Sequence, residues 1–271
     1  MARTKTLVCV HAHPDDEALF TAGATAYYAE QGYRVILITC TLGQLGIDDQ
    51  NRPGSHPQHN ASYTKAKRAQ ELHVSGELCG FSRQVQLGYY DSGMIGWASN
   101  ADPRSFMNAD VDAVARVLGA LFNEVEADVV LTYDENGFYG HPDHIQANRV
   151  TMKALEYATT VQRVYYPILP SSILNRFVEL AKKDNVFLPA WILDANNSVS
   201  DDQVATTLEL SNFASRKQAA IAAHASQTDN ADLVTMAPEL FDMIFGTEYY
   251  QRAWTAGTAT NDQHDLFGGL E

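Results

Sequence analysis

The sequence of 271 residues is poor in cysteine and in long apolar runs, and each shortage excludes a class of protein. Its three cysteines, Cys9, Cys40 and Cys79, are odd in number and stand among apolar residues. Buried free thiols in a reducing compartment are therefore expected rather than a disulfide framework. There is no run of about 18 apolar residues that would span a membrane. The apolar run at residues 7–10 is too short for the core of a signal peptide. We expect a cytoplasmic protein.

Basic residues are also scarce. Nineteen Lys and Arg face 33 Asp and Glu, for a net charge of −14, whereas a nucleic-acid surface needs clustered basic side chains. No Gly-x-Gly-x-x-Gly follows the first predicted strand, which argues against a binder of dinucleotides. No feature of the sequence indicates an oligomeric state. The composition thus argues against a nucleic-acid binder and does not by itself indicate a partner.

Apolar, β-rich runs alternate with helical patterns through the first two thirds of the chain. The predicted strands cover residues 6–10, 34–41, 128–133 and 163–166, with a short strand beginning at 85–87. The predicted helices cover residues 17–31, 63–78, 109–125 and 143–157. Such alternation is typical of an α/β protein with a Rossmann-like, mainly parallel sheet flanked by helices.

The pattern is weaker in the last third of the chain. Helices are predicted at 171–183, 215–225 and 238–253, and an edge strand at 204–210. We expect a single domain over residues 1–254, with a smaller C-terminal part closing a pocket and residues 167–238 forming its outer wall. Residues 255–271, rich in Gly, Asn and Asp, are expected to be a loose tail.

Two clusters of histidine and aspartate each follow an apolar strand. Residues 10–17 read Val-His-Ala-His-Pro-Asp-Asp-Glu, and residues 140–144 read Gly-His-Pro-Asp-His. Either motif alone would suit a helix start, where an Asp caps free backbone N–H groups. Parallel strands, however, deliver the residues at their carboxyl ends to one edge of the sheet, where ligands bind. The sequence therefore predicts that the two clusters meet in one site.

The residue types in these clusters suit a divalent metal. His13 and Asp16, with one of His141 or His144, would form a His₂Asp set that leaves a position for water, as catalytic zinc sites do. Ferrous iron or cobalt would fit such a set as well.

Further motifs accompany the two clusters. Residues 68–71 read Arg-Ala-Gln-Glu, residues 91–94 read Asp-Ser-Gly-Met, and residues 224–227 read His-Ala-Ser-Gln. With these motifs the chain resembles the PIG-L (LmbE-like) family of metal-dependent N-acetylglucosaminyl deacetylases over about residues 5–254. Within the family it is most similar to the branch that handles mycothiol precursors.

The resemblance implies a zinc-dependent N-deacetylase, a hydrolase acting on linear amide C–N bonds. It would remove the N-acetyl group from a conjugate of an N-acetylglucosamine-type amino sugar, with metal-bound water as the nucleophile. In the related mycothiol-conjugate amidases a lysine follows the first motif, whereas residues 18–21 here read Ala-Leu-Phe-Thr. This favours the sugar deacetylase. An amidase of mycothiol conjugates and a deacetylase of a glycosylated natural product remain the alternatives.

The resemblance also implies roles for single residues. The implied metal ligands are His13, Asp16 and His144. Asp15 would be the general base and acid, and His141 would stabilise the oxyanion with Asp143 as its orienting partner. Asp143 would keep His141 cationic, since a carboxylate favours a charged imidazole. Tyr139 would either add an O–H to the same oxyanion or pack as an aromatic.

Two more residues are candidates for binding the sugar. Arg68 and Asp91 could hydrogen-bond its hydroxyl groups. Alternatively, Arg68 forms an ion pair with Glu71 at i and i+3 of a helix. His11 lies two residues before His13, and we interpret it as a supporting or core residue rather than a ligand.

Overall fold

The computed structural model describes residues 3–184, 188–258 and 262–270. Its sheet has seven strands: β1 (Thr6–His11), β2 (Arg34–Thr41), β3 (Arg83–Tyr89), β4 (Val129–Leu131), β5 (Arg163–Ile168), β6 (Thr206–Glu209) and β7 (Thr247–Thr255). The α-helices are α1 (Ala22–Glu30), α2 (Ala61–Leu78), α3 (Val111–Glu124), α4 (Gly137–Gly140), α5 (Pro142–Ala154), α6 (Ser171–Asp184), α7 (Ala190–Leu193), α8 (Ala214–Ala223), α9 (Ala231–Thr235) and α10 (Pro238–Phe245). A π-helical turn, Glu17–Thr21, precedes α1.

The strand order is β3-β2-β1-β4-β5-β7-β6. The first five strands of that order pair in parallel, whereas β7 pairs antiparallel with both β5 and β6. The chain builds outward from β1 to β3, and then crosses back to place β4 on the other side of β1. This reversal is the topological switch point, where open α/β sheets bind ligands. The expected Rossmann-like, mainly parallel sheet is confirmed.

Strand β1 is buried along its whole length because helices cover both faces of the sheet. Leu7 and Cys9 pack with side chains of α1 and α8 on one face. Val8 and Val10 pack with side chains of α3 and α5 on the other. The alternation of side chains along a strand thus divides the core into two layers and fixes the carboxyl end of β1 between them.

The region after α9 differs from the sequence-based expectation. A helix was predicted over 238–253, but α10 ends at Phe245 and the chain continues as β7. Gly246 separates the two elements, and β7 then pairs with β5 and β6. This pairing is non-local, so a helical pattern of apolar residues could not reveal it. The predicted edge strand at 204–210 corresponds to β6.

The described end of the chain is also better packed than expected. Leu266 and Phe267 are buried in the core layer that contains α1. The hydroxyl of Tyr28 accepts a hydrogen bond from the backbone N–H of Leu266 at 2.8 Å and donates to Asp265 Oδ1 at 2.9 Å. Residues 262–270 are therefore anchored rather than loose, and the rest of the expected tail beyond residue 258 lies outside the described residues. Among the described residues, no helix is both long and apolar enough to cross a membrane.

Candidate metal centre and catalytic pocket

The two histidine–aspartate clusters meet at the carboxyl ends of β1 and β4, beside the switch point of the sheet. The first cluster follows β1 directly, and the second forms the start of α5, where Pro142 occupies the first turn. Proline suits this position because its fixed φ and missing N–H are both compatible with a helix start. The predicted convergence of the two segments is what the structure shows.

One ring nitrogen of His13 contacts the Asp143 carboxylate, and the other faces Asp16 and His144. Its Nε2 lies 3.2 Å from Asp143 Oδ2 and 3.6 Å from Asp91 Oδ1. Its Nδ1 lies 3.3 Å from Asp16 Oδ2 and 3.3 Å from His144 Nε2. An imidazole that donates Nε2–H to a carboxylate presents an unprotonated Nδ1, as metal-binding histidines do.

His144 has the same arrangement with its nitrogens exchanged. Its Nδ1 lies 3.2 Å from the carbonyl oxygen of Gly137, so Nδ1–H can donate to the backbone. Its Nε2 lies 3.3 Å from Asp16 Oδ1. The phenol ring of Tyr133 stacks on the imidazole at 4.1 Å between centroids and fixes its plane. Two oriented imidazoles therefore face the same carboxylate.

These distances fit a tetrahedral metal site. Ligand atoms about 2.0–2.1 Å from a tetrahedral zinc ion are about 3.3–3.4 Å from one another. His13 Nδ1 lies 3.3 Å from His144 Nε2 and 3.3 Å from Asp16 Oδ2, and His144 Nε2 lies 3.3 Å from Asp16 Oδ1, so each imidazole contacts a different oxygen of the carboxylate. Ring nitrogens of His13, His141 and His144 also lie within 4.8 Å of one another, but His141 Nδ1 accepts the backbone N–H of Asp143 at 3.1 Å. The donor set of two imidazoles and one carboxylate thus fits a divalent metal without His141.

The charges around His13 favour a cation. Although burial alone would lower it, the carboxylates of Asp91, Asp143 and Asp16 raise the pKa of His13 well above its usual range. Burial would raise the pKa of Asp16, yet His144 and His13 hold it well below its usual range. In the metal-free protein a proton on His13 balances the acidic groups. A divalent ion would take the place of this proton.

Asp15 adjoins Asp16 but points into the pocket. Its backbone has φ of 123°, a region rarely occupied by residues other than glycine. This conformation separates the two adjacent carboxylates, because Asp16 turns inward to the histidines while Asp15 keeps a side chain that is 17% exposed. Burial, aided by the charge of Asp16 and opposed by that of Arg68, raises the pKa of Asp15 to about 6. A raised pKa suits a proton-transfer group near neutral pH.

Arg68 anchors this turn rather than pairing with Glu71. Its Nη2 lies 2.9 Å from Asp15 Oδ2 and also donates to the carbonyl of Pro14, and its Nη1 donates to the carbonyl of Gly43 at 2.9 Å. Glu71 instead accepts hydrogen bonds from Ser226. The alternative interpretation of Arg68 as one half of an intrahelical ion pair is therefore wrong.

A buried ion pair between Glu17 and His224 lies next to the backbone of Asp15. Glu17 is fully buried, and its Oε1 lies 2.6 Å from His224 Nε2 and accepts the hydroxyl of Ser75 at 2.5 Å. Its Oε2 accepts the backbone N–H of Asp15 at 2.9 Å. Burial alone would lower the pKa of His224, but the Glu17 carboxylate raises it above its ordinary value. The pair therefore holds the unusual backbone conformation at Asp15.

Of these groups, His13, Asp15, Asp16, Arg68 and His141 border one cavity of about 360 Å³. Part of its lining is polar and includes Arg68, Asp91, Gln227, Asp229 and Asn230. The apolar lining includes Leu19, Phe20 and Trp191 on one side, together with Leu45, Ile47, Met94 and Trp97. Trp191 and the residues at 227–230 lie within the segment that was expected to form the outer wall of the pocket.

Comparison with known proteins agrees with this geometry. The family described as GlcNAc-PI de-N-acetylase (PIG-L) matches residues 8–155. The chain belongs to the PIG-L family. A relative from Salinispora arenicola, named 1D-myo-inositol 2-acetamido-2-deoxy-alpha-D-glucopyranoside deacetylase, is 39% identical over 98% of this chain and 92% of its own length. This confirms the family and the branch that the sequence motifs indicated.

Solved structures of low sequence identity share the fold. The N,N'-diacetylchitobiose deacetylase of Pyrococcus horikoshii is 19% identical with a TM-score of 0.55, over 92% of this chain and 82% of that one. The 4-carboxy-2-hydroxymuconate hydratase of Pseudomonas putida KT2440 is 18% identical with a TM-score of 0.63, over 95% and 99%. Since one of these structures is named a deacetylase and the other a hydratase, the shared fold alone does not determine the chemistry. The site residues must do so.

The geometry of Asp143 differs from the role that the PIG-L resemblance implied for it. Asp143 was expected to orient His141, but its carboxylate accepts hydrogen bonds from the backbone N–H and the hydroxyl of Ser92 and lies against Nε2 of His13. His141 receives only the backbone N–H of Asp143, at Nδ1. The carboxylate of Asp143 therefore orients His13 and does not orient His141.

His141 also differs from the expected cation. It is 7% exposed and lines the pocket. Burial and the neighbouring imidazoles of His13 and His144 lower the pKa of His141 well below its usual range. Because Nδ1 accepts a backbone N–H, the proton of the neutral ring is on Nε2. A neutral His141 can therefore still donate a hydrogen bond from Nε2.

Tyr139 lies beside both imidazoles. Its ring centroid is 5.0 Å from that of His144 and 6.2 Å from that of His141, and it borders the pocket. The preceding Phe138 has φ of 63°, so the backbone of α4 departs from a regular helix here. The turn brings Tyr139 to the mouth of the site.

Sequence reasoning missed several supporting residues. The hydroxyl of Tyr133 accepts the backbone N–H of Ala12 at 2.9 Å and lies 3.2 Å from His11 Nδ1, which makes His11 a buried supporting residue as expected. Ser92 belongs to the Asp-Ser-Gly-Met motif, but the motif does not reveal that its hydroxyl donates a hydrogen bond to the Asp143 carboxylate. For Tyr133, the one available sequence signal was a hydroxyl-bearing residue at the end of an otherwise apolar predicted strand.

Proposed function

We propose that this protein is a metal-dependent hydrolase that removes the N-acetyl group from a conjugate of an N-acetylglucosamine-type amino sugar. The observation that carries the proposal is the meeting of His13 Nδ1, His144 Nε2 and the two oxygens of Asp16 through contacts of 3.3 Å, with Asp15 in the adjacent pocket. The relatives named as deacetylases of a glucosaminyl-inositol support the substrate class.

His13, Asp16 and His144 would hold the metal, and zinc is the ion we favour, although ferrous iron suits the same donors. When bound, such an ion polarises an amide carbonyl and makes water acidic enough to attack near neutral pH. Asp143 and the carbonyl of Gly137 keep the two imidazoles in the tautomers that this requires.

Asp15 would move the proton. It takes a proton from the attacking water and delivers it to the amine that leaves with the sugar. Its pKa of about 6 leaves it mostly ionised at neutral pH, yet basic enough to accept a proton. Arg68 and Glu17 fix its position from two sides.

His141 and Tyr139 would stabilise the oxyanion. A neutral imidazole donating from Nε2 places one hydrogen bond on the developing charge, and the Tyr139 hydroxyl could supply another. One donor of this type typically contributes about 3 kcal/mol to transition-state stabilisation. Arg68 and Asp91, with Gln227 and Asn230, would meet the sugar hydroxyls in the polar part of the pocket.

The test is release of primary amine from N-acetylglucosaminyl-inositol by the zinc-loaded protein. Asp15→Asn should retain stoichiometric metal and lose activity by at least about a thousandfold. A cysteinyl amide of the same glucosaminyl-inositol separates the deacetylase from a conjugate amidase. Full activity of Asp15→Asn would remove the proposed base, and preferred cleavage of the cysteinyl amide would favour the amidase.

A further inference from the structure

A second, apolar cavity adjoins the catalytic pocket. Its volume is about 90 Å³, well above the roughly 10–15 Å³ that a single water molecule needs. It shares three lining residues with the catalytic pocket, namely Leu19, Phe20 and Trp191. One layer of side chains therefore separates the two spaces.

This layer begins beside a proposed metal ligand. The ring of Phe20 packs against that of His144 at 6.0 Å between centroids. Phe20 is also 5.2 Å from Phe138 and 6.3 Å from Trp191, and the last two rings are 6.1 Å apart. A group that extended from the reacting carbonyl towards Phe20 would meet the layer of side chains that the two cavities share.

The walls of the second cavity are apolar. Ile173 and Phe177 of α6, Ile192 of α7 and Ile244 of α10 contribute to them. Its two charged lining residues, Lys217 and Glu248, are buried and pair with each other at 2.7 Å between Nζ and Oε1.

Glu248 is further satisfied by the backbone N–H groups of Gly23 and Ala24. These charges are therefore compensated within the protein and do not call for a charged ligand. An apolar ligand suits the cavity.

The chemistry of an N-acyl sugar decides which part of the substrate would enter it. An amide is planar and trans, so the sugar carbon and the acyl carbon lie on opposite sides of the C–N bond. The sugar carries hydroxyl groups and needs the polar part of the pocket, around Arg68, Asp91 and Asn230. The acyl group is then directed to the apolar part at Leu19, Phe20 and Trp191, the layer of side chains that the second cavity adjoins.

We propose that the second cavity is a binding site for the alkyl chain of N-acyl groups longer than acetyl, so that the protein also hydrolyses short-chain N-acyl amino sugars. The proposal rests on the function proposed above. Burying one methylene is worth about 0.8 kcal/mol, or about fourfold in binding. We expect kcat/KM to rise by up to about fourfold per methylene from acetyl to butyryl.

The first test measures amine release from N-acetyl-, N-propionyl-, N-butyryl- and N-hexanoylglucosaminyl-inositol. Ile173→Phe and, independently, Ile192→Phe fill the cavity from different helices. Val117→Phe, at an exposed position of α3, is the matched control. Both filling variants should lower the butyryl-to-acetyl ratio of kcat/KM by at least about tenfold, whereas acetyl turnover, which also reports correct folding, stays within about twofold.

The second test does not depend on turnover of the sugar. Calorimetry of acetate, butyrate and hexanoate with the zinc-loaded protein should show affinity that increases with chain length and loses this increase in the filling variants. The cavity is not an acyl site if two results are obtained together. The first is a kcat/KM for the N-propionyl substrate more than about tenfold below that for the N-acetyl substrate, and the second is equal affinity for acetate, butyrate and hexanoate. If no sugar amide is cleaved but chain-length-dependent binding is present, the proposed deacetylase function fails and the acyl cavity stands. If the filling variants instead lower kcat/KM for octyl glycosides of N-acetylglucosamine relative to its methyl glycosides, the cavity holds the aglycone. Our assignment of the cavity to the acyl chain is then wrong.

Discussion

Nδ1 of His13 and Nε2 of His144 lie 3.3 Å apart, although 131 positions separate the two residues in the chain. When both rings are neutral, neither of these nitrogens has a proton to donate, because the other nitrogen of each ring donates to Asp143 or to the carbonyl of Gly137. Two unprotonated nitrogens at this distance repel each other unless a proton or a metal ion lies between them. The fold therefore holds this pair in a geometry that a cation stabilises.

Metal content should depend on His144. We predict that His144→Ala lowers bound zinc from about one per chain to near zero after dialysis, because a tetrahedral site loses one of its three protein ligands. His73→Ala is the matched control, since His73 is exposed on α2. Elemental analysis checks both variants. Stoichiometric zinc in the His144 variant would show that the ion is held elsewhere.

Bound metal should stabilise the fold. At a free zinc concentration 100 times the dissociation constant, the linkage relation gives about 2.7 kcal/mol of added stability. We predict that excess chelator lowers the midpoint of thermal unfolding, and that added zinc restores it. The same treatment should leave the midpoint of Asp16→Ala unchanged. Equal responses of the two proteins would contradict the assignment of Asp16 as a ligand.

Activity should depend on pH through Asp15. The pKa of Asp15 is raised to about 6 by burial, and only its ionised form can accept a proton. Since a bound divalent cation next to Asp15 would lower this pKa, we predict that kcat/KM of the zinc-loaded protein rises with pH through a limb at or below about 6 and reaches a plateau above it. The profile of amine release against pH measures this. Asp15→Glu, if it retains activity, should shift the limb, whereas His73→Ala should not.

Asp15 should also reduce the stability of the metal-free protein. Its folded pKa lies above its ordinary value of 3.8, so the folded state binds the proton more tightly than the unfolded state. The resulting stability is complete below pH 3.8 and is lost as the pH rises through about 6. At neutral pH the charged carboxylate is therefore a cost, up to about 3 kcal/mol. We predict that Asp15→Asn unfolds at higher denaturant concentration than the wild type in chelator at pH 7.5, and equal or lower stability would contradict this.

The buried pair of Glu17 and His224 should be needed for both folding and catalysis. Removing one partner of such a pair typically costs about 3–5 kcal/mol, so His224→Ala should be far less stable than His73→Ala. Because the pKa of His224 is raised and that of Glu17 is lowered, the stability from this pair is complete between about pH 4.5 and about pH 6.5. It is lost as the pH rises through the raised pKa of His224 or falls through the lowered pKa of Glu17.

A milder substitution separates positioning from folding. Glu17→Gln keeps the shape and can still accept the backbone N–H of Asp15. We expect it to lower kcat more than KM and to shift the acidic limb of the pH profile, since the charge next to Asp15 has changed. An unaltered pH profile with an unaltered kcat would show that the pair is structural only.

The sequence predicted the sheet and the meeting of its two polar clusters, because both depend on local patterns. An apolar strand followed by His-Pro-Asp is visible in a few residues, and the parallel arrangement then places the carboxyl ends together. The pairing of Glu17 with His224 was not predictable in this way, since 207 positions separate them and His224 lies just after α8. The same holds for β7, whose strand conformation depends on pairing with β5.

Partners of a charged side chain were the least predictable feature. Arg68 and Glu71 are spaced for an ion pair on α2, yet each contacts a different loop. Asp143 is next but one to His141, yet its carboxylate reaches His13. Sequence spacing gives the neighbours along one element, whereas these contacts depend on the position of loops from other elements.

Anomalous diffraction at the zinc edge from crystals of the zinc-loaded protein would locate the metal ion itself. We predict one strong peak about 2.0–2.1 Å from His13 Nδ1, from His144 Nε2 and from an Asp16 oxygen. A peak bound by other residues, or no peak at this position, would contradict it.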